Sequence, residues 1–392
     1  MATKKHVELS EILNHLGEER SQYFNAVSPP IIQTSNFAFR DTASFRGAFL
    51  DERAHHLYSR GNNPTTEILR KKIAALEKTE DALVFGSGAA AMACGVIANV
   101  RSGDHIICVQ NPYSWTYKLV SQLLPRFDVA HTFVAGDSVE EIERTLTSKT
   151  RFLILESPNS ITFKLQDLSA CAELCKRHQV ISLIDNSYAS PLFQNPADFG
   201  IDIVMHTCSK YLNGHSDVVA GVLCGKKTMM DKIFLSEFMT LGSVLAPHDA
   251  ALIIRGLRTL EIRMQRMSDS ALRVAKFLQG HPKVEQVIHP FLKSFAQYQL
   301  ARTQMRGCGG LFSFLVKANN KDQVNAMVDR LKTFLLAVSW GGHESLVLPF
   351  SIFHDIPGQP DPVYPFNLVR IYVGLEDPQY LIADLAQALE IL

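Results

Sequence analysis

A lysine flanked by hydroxyls is the most reactive constellation in this sequence. It lies in the run Phe199-Gly-Ile-Asp-Ile-Val-Met-His-Thr-Cys-Ser-Lys-Tyr-Leu-Asn-Gly-His-Ser-Asp217. The apolar stretch from Ile201 to Met205 reads as a buried strand, and Lys210 follows where that strand ends. An amine in such a place loses hydration and its pKa falls, which makes it a nucleophile and a base near neutral pH. The hydroxyls of Thr207 and Ser209 are suited to hold a phosphate. A lone lysine after a strand is ordinarily a solvated surface residue, so the reading depends on what else the chain brings to the same edge.

Four other places offer partners. Asp185 ends the strand-like Ile181-Ser-Leu-Ile-Asp185, and the carboxyl ends of strands are where ligands sit in open α/β sheets. A carboxylate there can pair with a protonated ring nitrogen; the structural alternative is a capping or turn aspartate. Tyr113, in Gln110-Asn-Pro-Tyr-Ser-Trp-Thr116, is an aromatic able to stack on a flat ring, or simply a packing residue. Arg370 lies inside the apolar Leu368-Val-Arg-Ile-Tyr-Val373 and needs an anion, either a substrate carboxylate or a structural acidic partner. Phe85-Gly-Ser-Gly-Ala-Ala-Ala91 is a strand, a tight turn and a helix start, whose free N–H groups make a phosphate site. It also matches the dinucleotide pattern GxGxxA, but the following strand ends in Gln110-Asn111 rather than in the acidic residue a ribose requires.

The elements that must position these residues alternate from about residue 80. Asp81–Phe85, His105–Val109, Arg151–Leu155, Val180–Ile184 and Ile201–Met205 are short apolar runs separated by helical stretches such as Asp167–His178. That pattern predicts a mostly parallel sheet covered on both faces. Asn63 and Pro64 predict the cap and first residue of a helix carrying Leu69, Ile73 and Leu76. Residues 1–60 lack periodicity and read as an arm that packs on another subunit. Residues 61–248 read as the ligand-binding α/β domain and 249–392 as a smaller α+β domain, opening with one long helix over Ala250–Lys276.

The chain has 392 residues, 46% of them hydrophobic and 20% charged, with Lys+Arg and Asp+Glu at 39 each. A two-domain globular protein follows, with no field that favours nucleic acid or an anionic membrane. The start, Met1-Ala-Thr-Lys-Lys-His-Val-Glu8, has no apolar leader segment. The seven cysteines form no CxxC pair, so reduced cytoplasmic thiols are expected. Fourteen histidines include no HExxH motif, and no metal site is expected.

Together these stretches resemble the Cys/Met-metabolism family of pyridoxal 5'-phosphate (PLP) enzymes, which includes cystathionine lyases and synthases and methionine γ-lyase. The similarity is carried in order by Tyr58-Ser-Arg60, Asn63-Pro-Thr65, Gly88-Ala-Ala, Glu156-Ser-Pro158, Asp185-Asn186, Ser209-Lys-Tyr, Arg255-Gly-Leu, Ser339 with Gly341-Gly342, and Leu368-Val-Arg370 with Val373-Gly-Leu-Glu376. The resemblance implies an aspartate-aminotransferase-like subunit (fold type I) in a homotetramer of two catalytic dimers. Lys210 would hold the cofactor and move the substrate's Cα proton, with Tyr113 stacked on the ring and Asp185 on its nitrogen. Gly88, Ala89, Thr207 and Ser209 would bind the phosphate, joined by Tyr58 and Arg60 from the partner subunit. Arg370 would grip the substrate carboxylate, with Ser339, Trp340 and Ser160 beside it.

Ser160, Trp340 and Leu381-Ile-Ala-Asp384 look like the bacterial cystathionine β-lyase branch. The expected reaction is therefore β-elimination of L-cystathionine, a sulfur-containing amino acid, to homocysteine, pyruvate and ammonia. γ-Elimination or γ-replacement is the alternative, because it needs only one further deprotonation by the same groups. Tyr113-Ser-Trp115 lacks the cysteine typical of methionine γ-lyases. An NAD-dependent dehydrogenase is a distant alternative, and a non-enzymatic binding protein would sit oddly with Lys210, Asp185 and Arg370 all intact.

Overall fold

The computed structural model describes residues 7–358 and 362–392; the first six residues of the Met1–Glu8 start lie outside the described residues. Seven strands form the first sheet: β1 (Asp81–Phe85), β2 (His105–Val109), β3 (Ala130–Val134), β4 (Thr150–Glu156), β5 (Ile181–Asp185), β6 (Ile203–Thr207) and β7 (Gly221–Gly225). Their order is β1-β7-β6-β5-β4-β2-β3. The chain from β2 to β6 pairs in parallel, while β7 runs antiparallel to both β6 and β1. The mostly parallel sheet expected from the alternation is present. Periodicity does not reveal β7, whose Gly-Val-Leu-Cys-Gly is too short and glycine-bounded to stand out, nor the half-exposed β3.

Both faces of this sheet are buried. One side packs Ile107, Val109, Leu153, Leu155, Ile184 and Val204, and the other packs Ile106, Cys108, Phe152, Ile154, Leu183 and Met205. Period-two alternation of apolar residues to two separate cores is why the strands read as unbroken apolar runs. Each fully buried aliphatic contributes roughly 1.5–3 kcal/mol, so the strands are anchored along their length and their carboxyl ends become a rigid platform.

The second sheet, β8 (Val284–Ile288), β9 (Leu311–Val316), β10 (Leu335–Leu336), β11 (Leu346–Pro349) and β12 (Leu368–Tyr372), has the order β10-β11-β12-β9-β8. All its strands follow Pro247 and all strands of the first sheet precede it. Two helices join them, Pro247–Leu257 and Leu260–Gly280, where the sequence suggested one. The break has a packing cause: the Gly256 carbonyl accepts from Arg263 Nη2 at 2.8 Å, and Arg263 Nη1 reaches the Tyr211 carbonyl at 2.9 Å. The interruption thus ties the helix pair to the loop carrying Lys210.

The Asn63–Pro64 start behaves as expected: Asn63 Oδ1 accepts from Thr65 N at 2.9 Å, and a helix runs Pro64–Leu76. Buried Lys72 on that helix binds the carbonyls of Ile12 and Leu13 and the Glu18 carboxylate, pinning the short helix Leu9–Asn14 to the body. Beyond Glu19 the arm is exposed, with Phe24, Val27, Phe49 and Leu50 in solvent.

Candidate active site

Lys210 lies three residues past the end of β6. Its amine donates to Ser339 Oγ at 2.5 Å and sits 5.4 Å from the centre of the Trp340 ring. Trp340 is buried and in turn meets Tyr211, ring centres 5.2 Å apart. Burial, followed by the nearby Arg370 charge, pulls the Lys210 pKa down to about 8, while Asp185 opposes the shift. The amine therefore has a substantial neutral fraction at ordinary pH.

The loop that reaches over Lys210 is held in a costly conformation. Ser339 has φ +84°, a left-handed backbone that L residues rarely adopt and that costs roughly 1–3 kcal/mol. Gly341 follows at φ +92°, and a Cβ there would lie 2.8 Å from the Lys210 backbone. Only glycine permits that approach, which is what brings the Ser339 hydroxyl within reach of the amine.

Asp185 ends β5 and is buried, its Oδ1 accepting from Ser187 N at 2.9 Å. Burial raises its pKa, against hydrogen bonds from Ser187 and the charges of His206 and Lys210. Glu156 ends the neighbouring β4 directly opposite Asp185 in the parallel register. Burial first and the Asp185 charge second push Glu156 up to about 7, although it accepts from Tyr113 N at 2.7 Å and Ser160 N at 2.9 Å. Tyr113 starts the helix Ser114–Lys118 with its ring half exposed, and burial followed by Asp185 raises its hydroxyl pKa. Arg370 on β12 donates to the Ser160 carbonyl at 3.3 Å, and burial brings its pKa to about 10.

On the far side of Lys210, the helix Gly88–Ile97 points its N-terminus at the end of β6. A Cβ on Gly88 would meet Thr207 Cβ at 2.8 Å, so glycine sets how closely that helix approaches the Thr207 and Ser209 hydroxyls. Ser87 caps the helix by accepting from Ala90 N at 3.1 Å, leaving the first-turn amides of Gly88 and Ala89 directed out of the helix end.

Lys210, Asp185, Tyr113, Gly88, Ala89, Thr207, Ser209, Arg370, Ser160, Ser339 and Trp340 therefore converge on one edge, where the two sheets meet. Tyr58 and Arg60 do not join them. Both are exposed, the Arg60 guanidinium lies 5.5 Å from the Tyr58 ring, and Arg60 lines a separate crevice with Arg53 and Arg70. Two further residues stand at the site without being marked as participants by the sequence patterns above. For Glu156 a signal exists, its strand-end position beside Asp185. Tyr364, whose buried hydroxyl lies in the electrostatic reach of Glu156 and Arg370, comes from an irregular stretch with no such signal.

The model of the Cys/Met metabolism PLP-dependent enzymes matches residues 11–390. The chain belongs to this family. Its relatives include the L-methionine gamma-lyase of Treponema denticola, 38% identical over 96% of this chain and 95% of that protein. The cystathionine gamma-synthase of Mycobacterium leprae is 36% identical over 96% of this chain and 95% of that one. The crystal structure of metB from Corynebacterium glutamicum superposes with a TM-score of 0.91 at 32% identity, covering 98% of both chains. The family's cofactor is PLP, and the residues fit it. A buried Asp185 carboxylate disfavoured by desolvation calls for a cation, which a protonated ring nitrogen supplies, and a helix start beside two hydroxyls calls for a phosphate. The aspartate-aminotransferase-like architecture inferred from the sequence stands. The β-elimination expectation fares less well, since these relatives carry γ-lyase and γ-synthase names. Lys210, Asp185 and Arg370 do not discriminate, because the same amine, carboxylate and guanidinium serve either carbon–sulfur bond.

Proposed function

We propose that the protein cleaves the Cγ–S bond of a sulfur-containing L-amino acid, giving a thiol, 2-oxobutyrate and ammonia. One observation carries the chemistry: a Lys210 amine of lowered pKa, hydrogen-bonded to Ser339 and within electrostatic reach of Asp185 and Arg370. The γ preference is supported by the kinship with γ-enzymes.

Arg370 binds the substrate carboxylate and aims the Cα–H bond at Lys210. Bound PLP supplies an electron sink for the charge that develops at Cα. Lys210 Nζ removes the Cα proton, would give it up to the bound cofactor and, neutral again, removes a Cβ proton, with Ser339 Oγ accepting its N–H bond. Asp185 would pair with the protonated ring nitrogen, and the Tyr113 ring would lie against the cofactor. The raised pKa of Tyr113 keeps its hydroxyl protonated, so it can donate to the departing sulfur. Gly88, Ala89, Thr207 and Ser209 hold the phosphate, and Tyr58 and Arg60 reach it from a second copy of the chain.

The test is to supply L-methionine and L-cystathionine separately and identify the keto acid. 2-Oxobutyrate supports γ-elimination. Pyruvate with homocysteine from L-cystathionine would overturn it in favour of β-elimination, the reaction that Trp340 and Ser160 suggest.

A further inference from the structure

The polypeptide after β4 bridges the two sheets, and a single carboxylate organises the bridge. Glu156 Oε1 accepts from Ser160 N at 2.9 Å and Asn159 Nδ2 at 3.0 Å, while Oε2 accepts from Tyr113 N at 2.7 Å. Asn159 also donates to the Asn111 carbonyl at 2.8 Å, and its Oδ1 accepts from Ile161 N and Thr162 N, each at 3.0 Å. From the other sheet, Arg370 Nη1 reaches the Ser160 carbonyl at 3.3 Å and Ser313 Oγ the Ile161 carbonyl at 3.0 Å. Arg370 and Ser313 are register partners on β12 and β9. The Glu156 carboxylate is thus two hydrogen bonds away from Arg370 and one from the backbone of Tyr113.

We propose that Glu156 is a positioning residue that sets Tyr113 and Arg370 at matched heights on either side of the Lys210 amine. This rests on the roles given above to Tyr113 and Arg370, but not on which carbon–sulfur bond is broken. All three groups that Glu156 binds are donors, so only an acceptor at both oxygens satisfies them. An amide of the same shape must turn its NH2 toward another N–H, break one side of the bridge and leave a buried donor unpaired. A purely structural carboxylate would lower stability alone; a positioning one changes ligand affinities in a protein that remains folded.

The experiment uses E156Q and E156D, with two readouts that need no turnover. The first is the dissociation constant of PLP from the apoprotein. The second is that of glycine, an unreactive amino acid, followed by the shift in cofactor absorbance. E156Q is expected to weaken glycine binding at least about tenfold and PLP binding several-fold, with KM for the sulfur substrate rising more than kcat falls. E156D, which keeps two acceptor oxygens on a shorter stem, is expected to fall between, and it carries the test alone if E156Q does not fold. Wild-type affinities for both ligands, or reduced thermal stability with unchanged affinities, would overturn the proposal. Weakened glycine binding in E156Q combined with pyruvate from the unsubstituted protein would instead refute only the reaction proposed above.

Discussion

The strand-end site and the N-terminal arm stand in opposite relations to water. At the site, polar groups are buried: Glu156, Ser157, Asn159, Asp185 and Asn186 are almost fully enclosed, and Asn186 alone bonds both Glu77 and the Gln194 carbonyl. In the arm, apolar groups are exposed: Phe24 is entirely in solvent, and Val27, Phe49 and Leu50 are more than two-thirds so. The arm's hydrogen bonds run partly within itself, such as Ser59 N to the Ser35 carbonyl at 2.8 Å, and partly to the body, where Arg53 pairs with Asp81 and Asp231. A single chain supplies most hydrogen-bond partners of the first region, from the strand ends and the neighbouring sheet. It leaves the second unfinished, as expected of a surface that a second copy covers. The root of the arm differs again, since Lys72 and Glu18 neutralise each other in a fully buried pair.

The largest effect should come from Lys210→Ala. Turnover is expected to fall at least about a thousandfold, because nucleophile and base are lost together. The absorbance of a lysine-linked cofactor should vanish with it. Persisting activity would mean that the enclosed strand-end region is not where the chemistry takes place.

Lys72→Ala tests the root of the arm. It removes the fully buried cation beside the Glu18 carboxylate, leaving Arg258 at 3.1 Å and Arg20 at 3.2 Å, and should cost about 3 kcal/mol of stability in denaturant unfolding. A loss below about 1 kcal/mol would mean that the Leu9–Asn14 segment is not anchored by this pair.

Mixing Lys210→Ala with Arg60→Ala subunits asks whether the exposed arm completes a neighbour's site. Each variant alone should be nearly inactive. Random reassociation should restore about a quarter of the sites, since half the dimers are mixed and each of those has one intact site. No recovery in a mixture shown to exchange subunits would confine Arg60 to its own chain.

The gentlest probe is pH. Cofactor capture needs the neutral Lys210 amine, whose pKa is lowered to about 8. The rate at which the apoprotein acquires PLP absorbance should climb about tenfold per pH unit below that value and level off above it. A plateau reached only near pH 10, about the value of a solvated lysine, would show that the site is as open to water as the arm.

Much of the site is legible in the amino-acid sequence. Lys210, Asp185 and Arg370 each combine a charged type with an apolar run, and burying a charge requires a function or a partner. The helix start at Gly88 and the Asn63–Pro64 cap are local signals that need only a few residues. Glu156 sits in a family-like stretch, yet its role is hidden there, since its importance comes from standing opposite Asp185 and below Tyr113. Tyr364 and the broken helix at Gly256 are not visible at all. Each arises from contacts with segments distant along the chain, such as the reach of Arg263 to Tyr211, 52 residues away.

The sequence alone determined which chemical groups the chain possesses, that five apolar runs of the first sheet are strands, and that a lysine follows one of them. Those properties depend on residue type and near neighbours, because propensity, capping and periodicity act within a few turns. The tertiary structure decided that Ser339 would adopt a left-handed backbone and lean on Lys210, that Arg370 would arrive from the second sheet, and that Tyr58 and Arg60 would stay away. Those outcomes depend on how two sheets dock across the carboxyl ends of the strands, and long-range packing of that kind leaves no periodic trace in a linear chain.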